Sequence, residues 1–366
     1  MKKKILILAT TAKEAGALSI LKDFIQELND VYLYDIFIHS SVINELPKKD
    51  NVNYVILDIS SWIKRIFYDF YKYPIINEKK YSLCINFQNI PIRTNIKQIV
   101  YYHQAIPFSE IKFSPFKKSS RKLWLYKNFY LLFFRMNINY LNYLIVQAEW
   151  MRESVHSKFN LPKEKTFIIE PKVNILYNED NIFDEEDIKH HNILFYPAYG
   201  HEYKNHKIII DSIKNIGIDY LKKHSIKIIF TIDKEHNLAK DIINTPLEEY
   251  FLFIGKISRE KVFYYYRLSS IILFPSTLET YGLPLKEASL LNKNIIASRL
   301  PYAKEVLKYY DKVTFCCPYN KVDWASEIKK FIENNLNIHD SSENEIEKKL
   351  NSNNNFLILI EKLIKE

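Results

Sequence analysis

The chain has 366 residues, enough for two domains with separate cores, and 47% of them are hydrophobic, which excludes a disordered chain. Its formal charge of +9 comes without an RNP-like sequence, a paired Cys/His finger or an Arg-rich arm, so nucleic acid is not an expected partner. Three cysteines, Cys84, Cys316 and Cys317, offer neither a disulfide framework nor metal-ligand spacing, and a cytoplasmic, reducing compartment is the expectation. No apolar run approaches the ~18 residues of a spanning helix. The opening MKKKILILATTAKEAG lacks a small-residue cleavage site and reads as a first strand rather than a signal peptide.

Residues 3–10 form that strand, and 17–28 an amphipathic helix with Leu18, Leu21, Phe24, Ile25 and Leu28 on its apolar side. Strands follow at 31–39, 54–59 and 83–87, with a helix at 62–71. A further strand at 98–102 delivers His103 and Gln104 at its carboxyl end. This alternation of strand and helix points to a parallel sheet. In 116–143, Lys117, Lys118, Arg121 and Lys122 lead an aromatic, apolar helix. Helical spacing puts Leu125, Phe129, Leu132 and Phe133 on a core-facing side. The basic start suits peripheral contact with an anionic membrane, at the inner face of the cytoplasmic membrane, over 117–135. A strand at 143–147, a helix at 148–159 and a strand at 167–171 complete the first domain. The polar, acidic stretch 174–191 reads as a linker. Domains are expected over 1–186 and 187–351.

The second domain opens with a strand at 192–197, a loop carrying Gly200, His201 and Lys204, and a helix at 207–216. A compact ammonium at the end of a strand suits a diphosphate. Strands at 226–232 and 250–254 precede Gly255-Lys256-Ile257, and a helix spans 259–268. The run Ile271-Ile272-Leu273-Phe274, closed by Pro275-Ser276, is a buried parallel strand. After a turn at 277–282, Pro284 is placed to start a helix to about 291. A strand at 294–298 and helices at 322–335 and 356–365 follow. With only five glycines in the chain, Gly16, Gly200, Gly255 and Gly282 are expected in loops after strands, where backbone geometry demands them, and Gly217 as a helix stop.

Glu279 in the turn and Glu287 in the helix frame a helix start whose free amides near Gly282, Leu283 and Leu285 make an anion site. Carboxylates accept hydrogen bonds from hydroxyls. A ligand with phosphate in the middle and polyols at both ends, a nucleotide sugar, fits that arrangement. Taken singly, Glu279 reads rather as a solvated loop charge and Glu287 as a partner of the helix dipole. The joint pattern of FPS, two carboxylates and Gly-Leu-Pro carries the inference.

The segment 274–304 resembles the donor-site motif of retaining glycosyltransferases of family 4 (glycosyl transferases group 1), whose hallmark is a Glu, seven residues and a second Glu, here Glu279 and Glu287. The likeness is strongest over 192–306. It implies an α/β fold of two facing Rossmann-like domains (GT-B) about an interdomain cleft, with a C-terminal helix, about 352–366, returning to the first domain. It implies that Glu287 holds the ribose hydroxyls and Glu279 the sugar hydroxyls, and that Gly255, Lys256 and Ile257 meet the nucleobase through the backbone. Thr280, Tyr281, Gly282 and Leu283 then line the donor site, with the diphosphate at Gly282, Leu283 and Lys204. His103 matches the histidine beside the donor sugar; without the family it reads as a satisfied polar residue after a strand. Gly16 stands in the first loop, where the family often has two adjacent glycines and this chain has Ala15. Lys204 matches the lysine of a basic pair on the diphosphate. The pair's arginine would fall near Ala198 or Tyr199, neither of them basic, so His201 or another cation is expected to replace it.

The expected activity is transfer of a sugar from a nucleotide-diphosphate sugar to a glycan or lipid-linked acceptor, with retention and without a metal or other cofactor, in cell-surface polysaccharide or lipopolysaccharide synthesis. Glu279, His103 and Lys204 form the expected catalytic set. Front-side attack, as in the resembling enzymes, requires no covalent nucleophile. A nucleotide-sugar epimerase would instead change the donor without an acceptor, and a non-catalytic partner of a polysaccharide assembly complex would show no turnover.

Overall fold

The structure is a computed structural model. It describes residues 2–13, 15–59, 62–71, 76–118, 120–173, 175, 191–335 and 355–365, so the expected acidic linker falls almost entirely outside the described residues. The chain divides into two compact units, Met1–Lys172 with Asn351–Glu366, and Val173–Leu350. This division comes earlier than the boundary at 186 read from the sequence.

In the first unit, seven parallel strands, β1 (Lys4–Leu8), β2 (Leu33–Ile38), β3 (Val52–Ile56), β4 (Leu83–Asn86), β5 (Gln98–Tyr101), β6 (Tyr143–Val146) and β7 (Thr166–Ile168), lie in the order β3-β2-β1-β4-β5-β6-β7. Alternation along β1 sends Ile5 and Ile7 into one core and Leu6 and Leu8 into another, as a sheet covered on both faces requires. The Ile5 side is closed by α1 (Ala15–Glu27) and by the C-terminal helix Asn355–Lys365, whose Phe356, Leu359, Ile360 and Leu363 are buried there. Phe356 lies 4.6 Å from Phe24 and 6.0 Å from Tyr101, ring centre to ring centre. The Lys97 ammonium donates to the Leu363 carbonyl near the helix end, at 3.0 Å, where cations suit the dipole. Three further helices are α2 (Trp62–Tyr71), α3 (Arg121–Met136) and α4 (Glu149–Phe159).

In two places the first unit departs from the sequence reading. Gly16 sits in the first turn of α1 rather than in the loop, and a Cβ there would meet nothing within 4 Å, so the backbone does not demand glycine. On α3 the buried residues are Tyr130 and Phe134, whereas Leu125, Phe129 and Leu132 are exposed and Phe133 is half-buried. Phe134 is seated by stacking on Phe159 at 4.5 Å and by an edge contact with Tyr102 at 5.6 Å. A helix apolar over most of its circumference does not reveal by periodicity which side is covered.

The second unit repeats the plan with six parallel strands, β8 (Asn192–Tyr196), β9 (Ile226–Phe230), β10 (Phe251–Phe253), β11 (Ile271–Phe274), β12 (Asn294–Ser298) and β13 (Val313–Cys316), in the order β10-β9-β8-β11-β12-β13. Its helices are α5 (His206–Ile216), α6 (Ile218–Lys223), α7 (Asn237–Lys240), α8 (Arg259–Leu268), α9 (Leu283–Leu290), α10 (Pro301–Val306) and α11 (Lys321–Asn335). The elements β13, α6, α7 and α10 add to those read from the sequence. The whole of β11 is fully buried, as its unbroken apolar run requires. In each sheet the strand order reverses at one place, between β1 and β4 and between β8 and β11. Open α/β sheets take ligands at the carboxyl ends of strands flanking such a reversal.

Candidate functional site

In the second unit, the loops after β8 and β11 are stitched together. The backbone amide and Oγ1 of Thr277 both donate to the Tyr203 carbonyl, at 2.8 and 2.9 Å. The Asn205 carboxamide donates to the Pro275 carbonyl at 3.2 Å and to the Pro318 carbonyl at 2.8 Å. Asn205 itself has φ +58, the left-handed conformation that Asn tolerates best after Gly, and this turns the chain into α5. These ties bring Lys204 to Glu279 across 75 residues of sequence, Nζ to Oε1 at 2.5 Å. The pair is only 16% and 14% exposed, so water screens it weakly. Beside it, Tyr203 is pushed up to about 12, first by burial and then by the Glu279 charge, so its hydroxyl keeps its proton.

The second carboxylate is held separately. Gly282 begins α9 with φ +89, ψ 55, a conformation that favours glycine, and a Cβ there would come 3.3 Å from the Tyr302 ring. Pro284 follows in the first turn. Of the three amides expected to be free, that of Leu285 donates to the Gly282 carbonyl at 2.9 Å, a tightening of the first turn that leaves Gly282 and Leu283 as the helix mouth. Glu287, one turn further in, is 1% exposed. Its Oε1 accepts from Arg259 Nη2 at 2.7 Å and its Oε2 from the Tyr266 hydroxyl at 3.0 Å. Burial, then the Glu287 charge, holds Tyr266 well above the usual phenol range and so fixes it as a donor.

Arg259 and Tyr266 are absent from the sequence reading. They lie seven residues apart, two turns of α8 and therefore one face, which was the available signal. Arg259 is the guanidinium this site contains, and it stands against Glu287, whereas Ala198 is buried and Tyr199 is an exposed tyrosine. His201 is exposed and stacks on Tyr203, ring centres 5.4 Å apart and planes 14° from parallel.

Gly255 has φ +66, and a Cβ on it would lie 2.7 Å from Asp233 Oδ1; Lys256 and Ile257 follow, exposed and half-buried. A Cβ on Gly200 would lie 2.4 Å from Nε2 of His236, so a larger residue there would have to displace that ring. Thr280 is half-buried and Tyr281 buried, in the turn leading to Gly282. Among the described residues, no group of three His, Cys, Asp or Glu is arranged to hold a metal ion.

His103 and Gly16 belong to the first unit. His103 follows β5 and is gripped twice by Asn89, itself in the left-handed conformation at φ +64 beyond the end of β4. The His103 backbone amide donates to Asn89 Oδ1 at 2.6 Å, and Asn89 Nδ2 lies 3.3 Å from His103 Nε2. The first contact fixes which way the carboxamide faces, so Nδ2 is the donor to Nε2 and the ring proton sits on Nδ1. Burial pushes the His103 pKa down to about 4, against a smaller opposing pull from the Tyr101 backbone. Asn89→Asp replaces that donor with an acceptor, which favours a protonated ring. NMR titration of the imidazole is expected to show the His103 pKa rising from about 4 towards or past the usual value of about 6.5.

The family of glycosyl transferases group 1 matches residues 178–351, the stretch that carries Lys204, Glu279 and Glu287. The match falls on the second unit and spans a little under half of the chain. The two-unit architecture is that of GT-B glycosyltransferases. The O-antigen chain mannosyltransferase RfbU of Salmonella typhimurium is 22% identical over 250 residues, 68% of this chain and 64% of that protein, so the match spans less than two thirds of its length. A glycosyltransferase from Rickettsia africae shares the fold with a TM-score of 0.64 at 15% identity, over 91% of this chain and 88% of its own. Anabaena Alr3699/HepE in complex with UDP gives a TM-score of 0.64 at 16% identity, over 91% and 90%.

Proposed function

We propose that this chain is a group 1 enzyme, a retaining glycosyltransferase of family 4 that moves a sugar from a nucleotide-diphosphate sugar to a glycan or lipid-linked glycan acceptor in cell-surface polysaccharide synthesis. The observation that carries this reading is the arrangement at the start of α9. One carboxylate, Glu279, is paired with an ammonium before the helix, and the other, Glu287, is held by Arg259 and Tyr266 within it. A diphosphate seated at Gly282 and Leu283 would draw on the helix dipole and compete with Glu279 for the Lys204 ammonium. Glu279 is then released to accept hydrogen bonds from the transferred sugar, and Glu287 accepts from the ribose. Stabilising the charge on the departing diphosphate is the main catalytic demand. The names of the mannosyltransferase relative and of the UDP-bound fold neighbour support the donor class.

The test has two stages. A thermal-shift panel of UDP, GDP, dTDP and ADP is expected to raise the melting temperature with one nucleotide well above the rest. The matching nucleotide sugars, offered with glycan acceptors, are then expected to yield product with the donor's anomeric configuration. Nucleotide binding without turnover across acceptors would favour a non-catalytic partner, and an inverted product would remove the retaining assignment.

A further inference from the structure

The exposed side of α3 has a composition that the proposed transfer reaction does not use. Leu125, Phe129, Leu132 and Met136 are 39%, 40%, 52% and 51% exposed and follow one another at intervals of four, three and four residues, a single line down the helix. The opposite side is anchored through Tyr130 and Phe134, so the helix is seated in its unit and still presents this stripe. Phe116, 95% exposed, stands just before the helix. Lys117, Lys118, Arg121 and Lys122 are all exposed at its leading end. Between Glu110 and Glu149 there is no acidic residue, while Lys112, Lys117, Lys118, Arg121, Lys122, Lys127 and Arg135 contribute seven cations.

A line of large apolar side chains bordered by cations, with no acid for nearly forty residues of sequence, complements one kind of surface: a bilayer with anionic headgroups. We infer that α3 docks this chain on an anionic lipid surface, with Leu125, Phe129, Leu132 and Met136 entering the headgroup region and Lys117, Lys118, Arg121 and Lys122 held at the phosphates. The contact is one of lying on the bilayer. Among the described residues no helix is long and apolar enough to cross a membrane. The inference rests on α3 alone and holds whichever sugar, or none, the second unit handles.

Co-sedimentation of the full chain with phosphatidylcholine vesicles, with and without phosphatidylglycerol, tests it. The wild type is expected to pellet with the phosphatidylglycerol vesicles, to be released by high salt, and to stay in solution with phosphatidylcholine alone. The variant Lys117→Ser/Lys118→Ser/Arg121→Ser/Lys122→Ser is expected to lose about tenfold or more in apparent affinity, and Leu125→Ser/Phe129→Ser/Leu132→Ser a comparable amount. Should the apolar variant fail to fold, the charge variant, which alters only exposed side chains, decides the matter. Equal pelleting of wild type and charge variant would overturn the assignment. So would a wild type that ignores both vesicles and forms a dimer by light scattering, since the stripe would then be a contact between copies.

Discussion

Glu279→Ala is expected to lower kcat for sugar transfer about a hundredfold while leaving the donor KM unchanged or lower. A hundredfold corresponds to roughly 2.7 kcal/mol, which is within the reach of a charged hydrogen-bond acceptor removed from a largely buried position. The direction of the KM change follows from Lys204. In the free protein its ammonium is held by Glu279 at 2.5 Å, and without that partner it is open to the diphosphate. Lys204→Ala should do the converse and raise the donor KM. Since the two side chains form one contact, the double variant is expected to be less impaired than the product of the single effects. Steady-state kinetics on the four proteins would separate these outcomes. An intact kcat in Glu279→Ala would mean that Glu279 does no more than hold Lys204.

Glu287→Ala should produce the complementary pattern: a nucleotide Kd raised about thirtyfold, roughly 2 kcal/mol, with kcat for bound donor little changed. In the free protein each Glu287 oxygen accepts one hydrogen bond, from Arg259 or from Tyr266. A carboxylate oxygen has a second lone pair, so both oxygens can still accept from a ribose hydroxyl. The variant should remain folded despite losing a buried charge. The Arg259 side chain is 47% exposed and can rehydrate, and the Tyr266 hydroxyl keeps a contact with the Pro284 carbonyl at 3.3 Å. Isothermal titration with the nucleotide found in the thermal-shift panel checks the affinity. An unchanged Kd would place the ribose away from Glu287.

The strands of both sheets were readable because a parallel sheet covered on both faces leaves short unbroken apolar runs, such as ILIL at β1 and IILF at β11. The edge strand β13 is not legible in the sequence because only Cys316 of its four residues is buried, which leaves no apolar pattern. Short helices such as α7, four residues long, have too few turns to show a period. At the site, Glu279 and Glu287 declared themselves through their spacing around a Gly-Leu-Pro helix start. Their partners did not: Arg259 lies 28 residues from Glu287, and Lys204 lies 75 from Glu279. Those separations are bridged in space, by α8 side chains that reach Glu287 on α9 and by the stitching of the loops after β8 and β11. The expectation that scarce glycines mark every special backbone position was incomplete for a chemical reason. Asn89, Asn160, Asn205, Asn244 and Asn292 also adopt positive φ, so this chain draws on its abundant asparagine where many would use glycine.

The proposed donor site seats the diphosphate at the mouth of α9, with Glu287 on the ribose and Glu279 on the sugar. A crystal structure of the chain with the nucleotide sugar selected by the thermal-shift panel measures this directly. The expected result is phosphate oxygens within hydrogen-bond distance of the Gly282 and Leu283 amides and of Lys204 Nζ, and ribose hydroxyls on the Glu287 carboxylate. A donor bound elsewhere on the chain, with Lys204 and Glu279 still paired and the α9 mouth untouched, would contradict it.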